Sequence, residues 1–267
     1  MDQPAGASSI MHSPVARNLP EMALRNNGYH IPCEAPDGWL GADATFAPGR
    51  CFVTYAPARR EHAIAAISLA HVARALAEEG HTEAADVPLP RGACAAFIVP
   101  IGVLPGAVRR IFELSRSLPT APLDRFAEEV RAMPRTTEAE RLIVQRVGQD
   151  IFREALMDLW SGRCAVTGLD QPELLRASHM KPWSDCTSDA ERLDPMNGLL
   201  LVAHWDAAFD RGLATFADDG TPLLSHHLSV SARALLVPAT GLGPHLANLR
   251  ATHLPYLRYH RERIWRA

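Results

Sequence analysis

Four side chains that could share one reaction lie within a short stretch of the sequence: His179, Asn197, Asp206 and Asp210. An imidazole titrates near neutral pH and can take a proton from water. An amide can orient a neighbouring group, and a pair of carboxylates can bind a hard divalent cation. Each residue also has an ordinary structural interpretation, a hydrogen-bonded histidine or a solvated helix face, but together they predict a working site.

Short elements are predicted to position these side chains. Residues 174–180 have the pattern of a strand that Lys181-Pro182 ends, because proline has no N–H for a ladder, so His179 lies at a strand end. Turns at Asp194-Pro195 and Asn197-Gly198 lead to a second strand over residues 199–202. Residues 203–211 follow as a helix, which Gly212 ends.

The two aspartates are four residues apart on that helix and therefore share one face. Without a cation between them they repel, at a cost of about 0.2–0.5 kcal/mol. A divalent ion bound between them makes the close approach of the two carboxylates favourable, and Mg²⁺ needs few protein ligands. His204 points roughly 200° away from Asp206 around the helix, so we hold it in reserve as a ligand.

Three segments resemble the HNH endonuclease family with the ββα-metal fold, and in particular its restriction-endonuclease-like subgroup. They are RASHMKPW at residues 176–183, NGLLL at 197–201 and HWDAAFDRG at 204–212. The resemblance implies that His179 is the general base, that Asn197 orients it, and that Asp206 and Asp210 bind one divalent metal. Mg²⁺ is the expected ion, with Mn²⁺ as a substitute.

The sequence departs from the family pattern at two positions. Ser178 stands where many members carry an acid or a second histidine, so it is only a reserve ligand, and Asp206 stands where the helix residue is often histidine. The cysteine pairs that bind structural zinc in many relatives are also missing, because Cys164 begins no C-x-x-C motif. No structural zinc is expected.

The chain has 267 residues and a formal charge of −3, which shows no overall basic excess. Contact with nucleic acid must then come from a local patch. Lys181 is the only lysine, and we predict that it contacts nucleic acid together with Arg176 and Arg211. Five cysteines without framework spacing favour reduced thiols. Since no apolar run is long enough to span a bilayer, we expect a cytoplasmic protein without membrane contact.

The predicted fold class is α+β. We expect a disordered arm at residues 1–27, an α+β domain at 28–120, a helical connector at 121–162 and an HNH nuclease domain at 163–267. Within 28–120, strands are predicted at 29–32, 39–45, 51–55 and 95–99, and Ala65, Leu69, Val72 and Leu76 mark a helix. That domain is expected either to recognise DNA or to form a homodimer.

The sequence therefore predicts a metal-dependent DNA endonuclease, of a restriction or defence type, that uses one metal and a histidine base. Two alternatives remain open. A DNA-binding or interaction protein with a degenerate HNH site is favoured by Ser178, while a nuclease toxin fits the large N-terminal region less well.

Overall fold

The computed structural model describes residues 14–57, 59, 61–118, 120–131, 133–134, 137–237 and 245–267. The chain divides into two compact units, Met1–Ala121 and Pro122–Ala267. Helices and antiparallel sheets occur in both, so the predicted α+β class is confirmed. Among the described residues, no helix combines the length and the apolar character needed to cross a membrane.

The first unit is built on a five-stranded antiparallel sheet in which each strand pairs with the next along the chain. Its strands are β1 (Tyr29–Cys33), β2 (Leu40–Ala44), β3 (Arg50–Tyr55), β4 (His62–Ile67) and β5 (Ala95–Pro100), and its helices are α1 (Pro14–Arg25), α2 (Ala70–Glu78) and α3 (Leu104–Ser117). Both faces of the central strands are buried, since Val53 and Ala65 pair on one face and Phe52 and Ala66 on the other.

Two predictions for this unit are wrong. The helix marked from Ala65 begins only at Ala70, because residues 63–67 are apolar throughout and form the central strand β4, buried between β3 and β5. Part of the expected disordered arm is helix α1, which buries Ala23 and Leu24 and contacts α3. Residues 1–13 of that arm lie outside the described residues.

The second unit begins with two helices, α4 (Ala121–Glu129) and α5 (Glu138–Leu159). These helices fill the predicted connector, and α5 opens with a capping box, as the spacing of Thr137 and Glu140 in the sequence predicts. The apolar spacing of the same segment predicts an inward stripe of Ile143, Val147, Ile151 and Ala155. Ile151 and Ala155 are buried, Ile143 is 58% exposed, and Phe152 and Leu156 beside the stripe are buried as well. The helix thus presents an aromatic ring to the core of the unit.

The rest of the second unit consists of short elements around α5. They are β6 (Leu175–His179), α6 (Asp189–Arg192), β7 (Gly198–Val202), α7 (Ala203–Asp210), β8 (Ala214–Phe216), β9 (Pro222–Leu224), α8 (Val230–Leu236) and α9 (Leu254–Arg263). Strands β6 and β7 form one two-stranded antiparallel sheet and β8 and β9 another. The predicted succession of strand, strand and helix over residues 174–211 is confirmed.

Candidate active site

The hairpin of β6 and β7 places the predicted base at its open end. His179 pairs with Gly198 and Ser178 with Leu199, so the last residue of β6 meets the first residue of β7. All five residues of β7 are buried, and the strand packs against α5 and α7. A Cβ on Gly198 would come within 2.6 Å of the Phe152 ring and 2.7 Å of Leu156, so only glycine lets α5 approach this closely.

The His179 ring is held on three sides. It stacks on Phe152 with ring centroids 3.8 Å apart, and the ring of Trp183 stands edge-on at 5.7 Å. Nε2 lies 2.9 Å from the backbone oxygen of Arg192. A carbonyl only accepts hydrogen bonds, so Nε2 carries the proton and Nδ1 of the neutral ring has a free lone pair.

Burial lowers the pKa of His179 to about 4, although the hydrogen bond to the Arg192 carbonyl acts in the opposite direction. The imidazole is therefore neutral near pH 7. A neutral, oriented imidazole is the form that can accept a proton from a nucleophile.

Asn197 is fully buried and ties the loop after β6 to the segment before β7. Its Oδ1 accepts from the backbone N–H of Lys181 at 2.8 Å, and its Nδ2 donates to the backbone oxygens of Lys181 and Glu191, each at 3.2 Å. The amide thus fixes the chain two residues after His179. It does so without a direct hydrogen bond to the His179 ring among the described contacts.

Ser178 joins the strand to the acidic helix. Its hydroxyl is buried and donates to Asp210 Oδ1 at 3.1 Å, which brings the position before the base next to the helix pair. Burial raises the pKa of both Asp206 and Asp210, and Asp210 raises that of Asp206 further, while Ser178 lowers both. In the part of the chain that the structure describes, no lysine, arginine or histidine forms an ion pair with either aspartate.

This donor set fits a hard divalent cation. The two carboxylates share one helix face, and partial burial is the main reason why the pKa of each is raised, with Asp210 raising that of Asp206 further. Within the described ranges, no group of three or more histidine, cysteine, aspartate or glutamate side chains is arranged to bind a metal. A divalent cation held by the two carboxylates would take its other ligands from water or from a bound phosphate.

The other predicted residues lie around this cluster. Lys181 forms a 2.6 Å ion pair with Glu191 and lies 5.2 Å from the centre of the Tyr259 ring, and its contact with nucleic acid stays a prediction. Arg176 lowers the pKa of Asp206 and Arg211 that of Asp210, so both positive charges are near the acidic pair. Arg176 and Arg211 are exposed; Arg176 donates to the backbone oxygens of Glu173 and Leu175. The reserve ligand His204 is exposed as well.

Several residues that shape the site were not predicted. Phe152 on α5 and Trp183 after β6 enclose the His179 ring, and the Arg192 carbonyl sets its tautomer. From α9, Tyr256 donates to Asp194 at 2.9 Å and Tyr259 to Asp185 at 3.0 Å. These contacts join elements far apart in sequence, and spacing within one element carries no signal for them.

Comparison with known families supplies one finding. The family model described as HNH endonuclease matches residues 164–217, the segment that contains β6, β7, α7 and all four predicted site residues. No curated protein matches the chain. The chain therefore contains an HNH endonuclease domain at residues 164–217, the domain of a family of nucleases.

Proposed function

We propose that the chain is a divalent-metal-dependent DNA endonuclease that hydrolyses phosphodiester bonds with His179 as the general base. The observation that carries the proposal is the arrangement of His179. Its ring is half-buried, neutral and oriented by the Arg192 carbonyl with Nδ1 free, and it directly follows Ser178, which bonds to Asp210.

The chain's own residues account for most of the chemistry. Nδ1 of His179 accepts a proton from the attacking water, and the stack on Phe152 keeps the ring from turning. Asn197 holds the backbone that follows the base, and Ser178 holds the Asp210 carboxylate. A divalent cation held by Asp206 and Asp210 would supply positive charge to the phosphate oxygens and the leaving 3′ oxygen.

Plasmid cleavage by the purified full chain tests the proposal. We expect cleavage with Mg²⁺ or Mn²⁺ and none in EDTA. His179→Ala should reduce the rate by about 10²–10⁴-fold, the usual contribution of a general base, without loss of DNA binding in a gel-shift assay. The matched control is His226→Ala, an exposed histidine of the same unit that has no role in the proposed site and should cleave like the unmodified chain.

Two results would contradict this mechanism. Cleavage that persists in EDTA would exclude metal dependence, and equal rates for His179→Ala and the unmodified chain would exclude the base. DNA binding without cleavage in any divalent ion would favour the degenerate-site alternative, for which Ser178 at the position before the base is the specific observation. A restriction or defence role and a homodimer stay predictions from the resemblance.

A further inference from the structure

A pocket of about 380 Å³ lies on the second unit beside the proposed base. Its walls come from α4, α5, the turn after β6, and α6, and include the side chains of Phe126, Arg141, Gln145, Trp183, Asp189 and Arg192. The volume is within the range of small-molecule sites in proteins. None of the roles assigned above to the acidic pair or to Asn197 uses this pocket.

We propose that this pocket binds one extrahelical nucleotide of the DNA strand next to the bond that is cleaved. The inference rests on the proposed function, because it assumes that nucleic acid is bound at His179. It adds a binding site for a single base that is turned out of the helical stack.

Two aromatic side chains give the pocket its apolar surface. Trp183 is half-buried and Phe126 is buried on α4. Gly148 of α5 allows both to lie close to the helix, since a Cβ there would come within 2.7 Å of the Trp183 ring and 3.3 Å of the Phe126 ring. Aromatic surfaces bind unstacked bases regardless of their identity, because every base has a π-face.

The polar side chains of the pocket complement a nucleotide. The side chain of Gln145 is half-buried and makes no hydrogen bond among the described residues. Its amide can therefore offer a donor and an acceptor to the edge of a base. Arg141 is exposed and has no carboxylate partner among the described residues, which leaves its charge available to a phosphate. Arg192, in contrast, is paired with Asp189 at 3.1 Å.

The pocket and the base share two walls. Trp183 lines the pocket and also presents its ring to the edge of His179 at 5.7 Å. The side chain of Arg192 lines the pocket, and its backbone oxygen accepts a hydrogen bond from the Nε2–H of His179. A nucleotide in the pocket would therefore lie close to the phosphodiester attacked at His179, as expected for a neighbour on the same strand. Turning a base out of the duplex costs a few kcal/mol, and contacts of this kind offset that cost in other enzymes.

Nucleotide binding can be measured without cleavage. We would titrate the ¹⁵N-labelled full chain, without divalent ions, with deoxyadenosine or deoxycytidine 5′-monophosphate and follow the indole N–H signal of Trp183, assigned with Trp183→Phe. Deoxyribose 5-phosphate and inorganic phosphate are the control ligands. We expect saturable shifts at millimolar nucleotide and at least about tenfold weaker binding of both controls, since they lack the stacking base.

Variants of α5 make the test specific. Gln145→Leu and Arg141→Gln should each weaken nucleotide binding about tenfold, the effect of one base-edge or phosphate contact. Their matched controls are Gln149→Leu and Arg146→Gln, which change exposed residues of the same helix outside the pocket and should leave binding unchanged.

The remaining outcomes overturn the proposal. Equal binding of deoxyribose 5-phosphate and the nucleotides would make the pocket an anion site only. An absent Trp183 shift, or equal binding by the pocket and control variants, would exclude a nucleotide there. If the chain cleaves plasmid but fails this test, only the proposed nucleotide site is overturned. If it binds nucleotides but never cleaves in any divalent ion, the proposed nuclease function is overturned.

Discussion

The acidic pair on α7 differs from the acidic side chains that stabilise the first unit. In the first unit, Glu79 lies 2.7 Å from Arg110, with both side chains largely buried, and Asp43 lies 2.7 Å from Arg50. In the second unit, Asp206 and Asp210 lie together with a serine hydroxyl and without an ion-pair partner in the described part of the chain. The ion pairs of the first unit stabilise its fold. The two aspartates of the second unit lack such partners, and the stability of the fold alone does not explain why they lie together.

Buried polar groups bond across elements in both units. In the first unit, Thr54 donates to the Gly38 carbonyl. In the second unit, Asn197 bonds to the backbone of Lys181 and His260 to the Phe209 carbonyl. The acidic pair differs from all of these groups, because its carboxylates have a serine hydroxyl but no ion-pair partner in the described part of the chain, as expected where binding or catalysis requires charge.

The largest expected effect tests whether Asp206 and Asp210 bind a metal rather than stabilise the fold. Asp206→Asn and Asp210→Asn should each abolish EDTA-sensitive cleavage, since each removes half of the proposed metal site. The metal-free variants should be as stable as the unmodified chain or about 0.2–0.5 kcal/mol more stable, because a repulsive pair is gone. Plasmid cleavage and thermal unfolding measure the two quantities.

The control for these variants is Glu79→Gln in the first unit. It should lower the free energy of unfolding by about 1–3 kcal/mol, because Arg110 loses a charged partner, and leave cleavage unchanged. Aspartate variants that lose stability yet still cleave would show that the pair is structural.

A second, smaller effect concerns the buried amide. Asn197→Ala should reduce turnover about 10–100-fold while calorimetric Mg²⁺ affinity is kept, because the amide orients the loop after His179 and touches no proposed ligand. Thr54→Val is the control in the first unit: it removes a buried hydroxyl bonded to the Gly38 carbonyl, and should affect stability only. Rescue of Asn197→Ala by excess Mg²⁺ would instead make Asn197 a ligand.

Two glycines provide the third test. Gly198→Ala should cost about 1–3 kcal/mol of stability and reduce turnover, because the new Cβ displaces Phe152 from beneath His179. Gly106→Ala on α3 meets nothing within 4 Å and should gain up to about 1 kcal/mol by restricting the unfolded chain. An active and stable Gly198→Ala chain would mean that the close approach of α5 does not matter.

The last test leaves cleavage aside and concerns the pH dependence of stability. Burial lowers the pKa of His253 and of His260 to about 4, so both are neutral in the folded chain and gain protons on unfolding. Their contribution is complete above pH 6.5 and is lost as the pH falls toward 4, at up to about 1.4 kcal/mol per pH unit for each histidine. Thermal unfolding between pH 7.5 and 4.5 measures the slope, and His260→Gln should flatten it. An unchanged slope would show that His260 is not the group that titrates.

Local signals in the sequence were sufficient for the elements that carry the four proposed site residues. Pro182 after β6, the apolar run of β7 and the i, i+4 spacing of Asp206 and Asp210 are all features of single elements, and the structure has those elements. Residues 63–67 show where such signals fail. A short apolar run fits a helix or a buried strand equally, and only pairing with β3 and β5 decides between them.

The surroundings of the base could not be predicted, because they depend on packing between distant elements. Phe152 is an ordinary apolar residue in the α5 sequence and lies beside the predicted stripe, of which Ile151 and Ala155 are buried and Ile143 is exposed. The ion pair of Lys181 with Glu191 was not predicted either, because Glu191 comes from α6, an element too short to stand out in the pattern. In both cases the sequence indicates the element but not the neighbour that a side chain meets.

Helix α5 has a practical consequence for the design of fragments. The family match begins at residue 164, but the ring beneath His179 belongs to Phe152, and Arg153 donates to the backbone oxygens of Pro172 and Leu175 just before β6 and at its start. A recombinant fragment cut at residue 163 would expose the apolar face of β7 to solvent and leave the histidine without its support. A fragment that keeps these contacts has to include α5, and the whole second compact unit begins at Pro122.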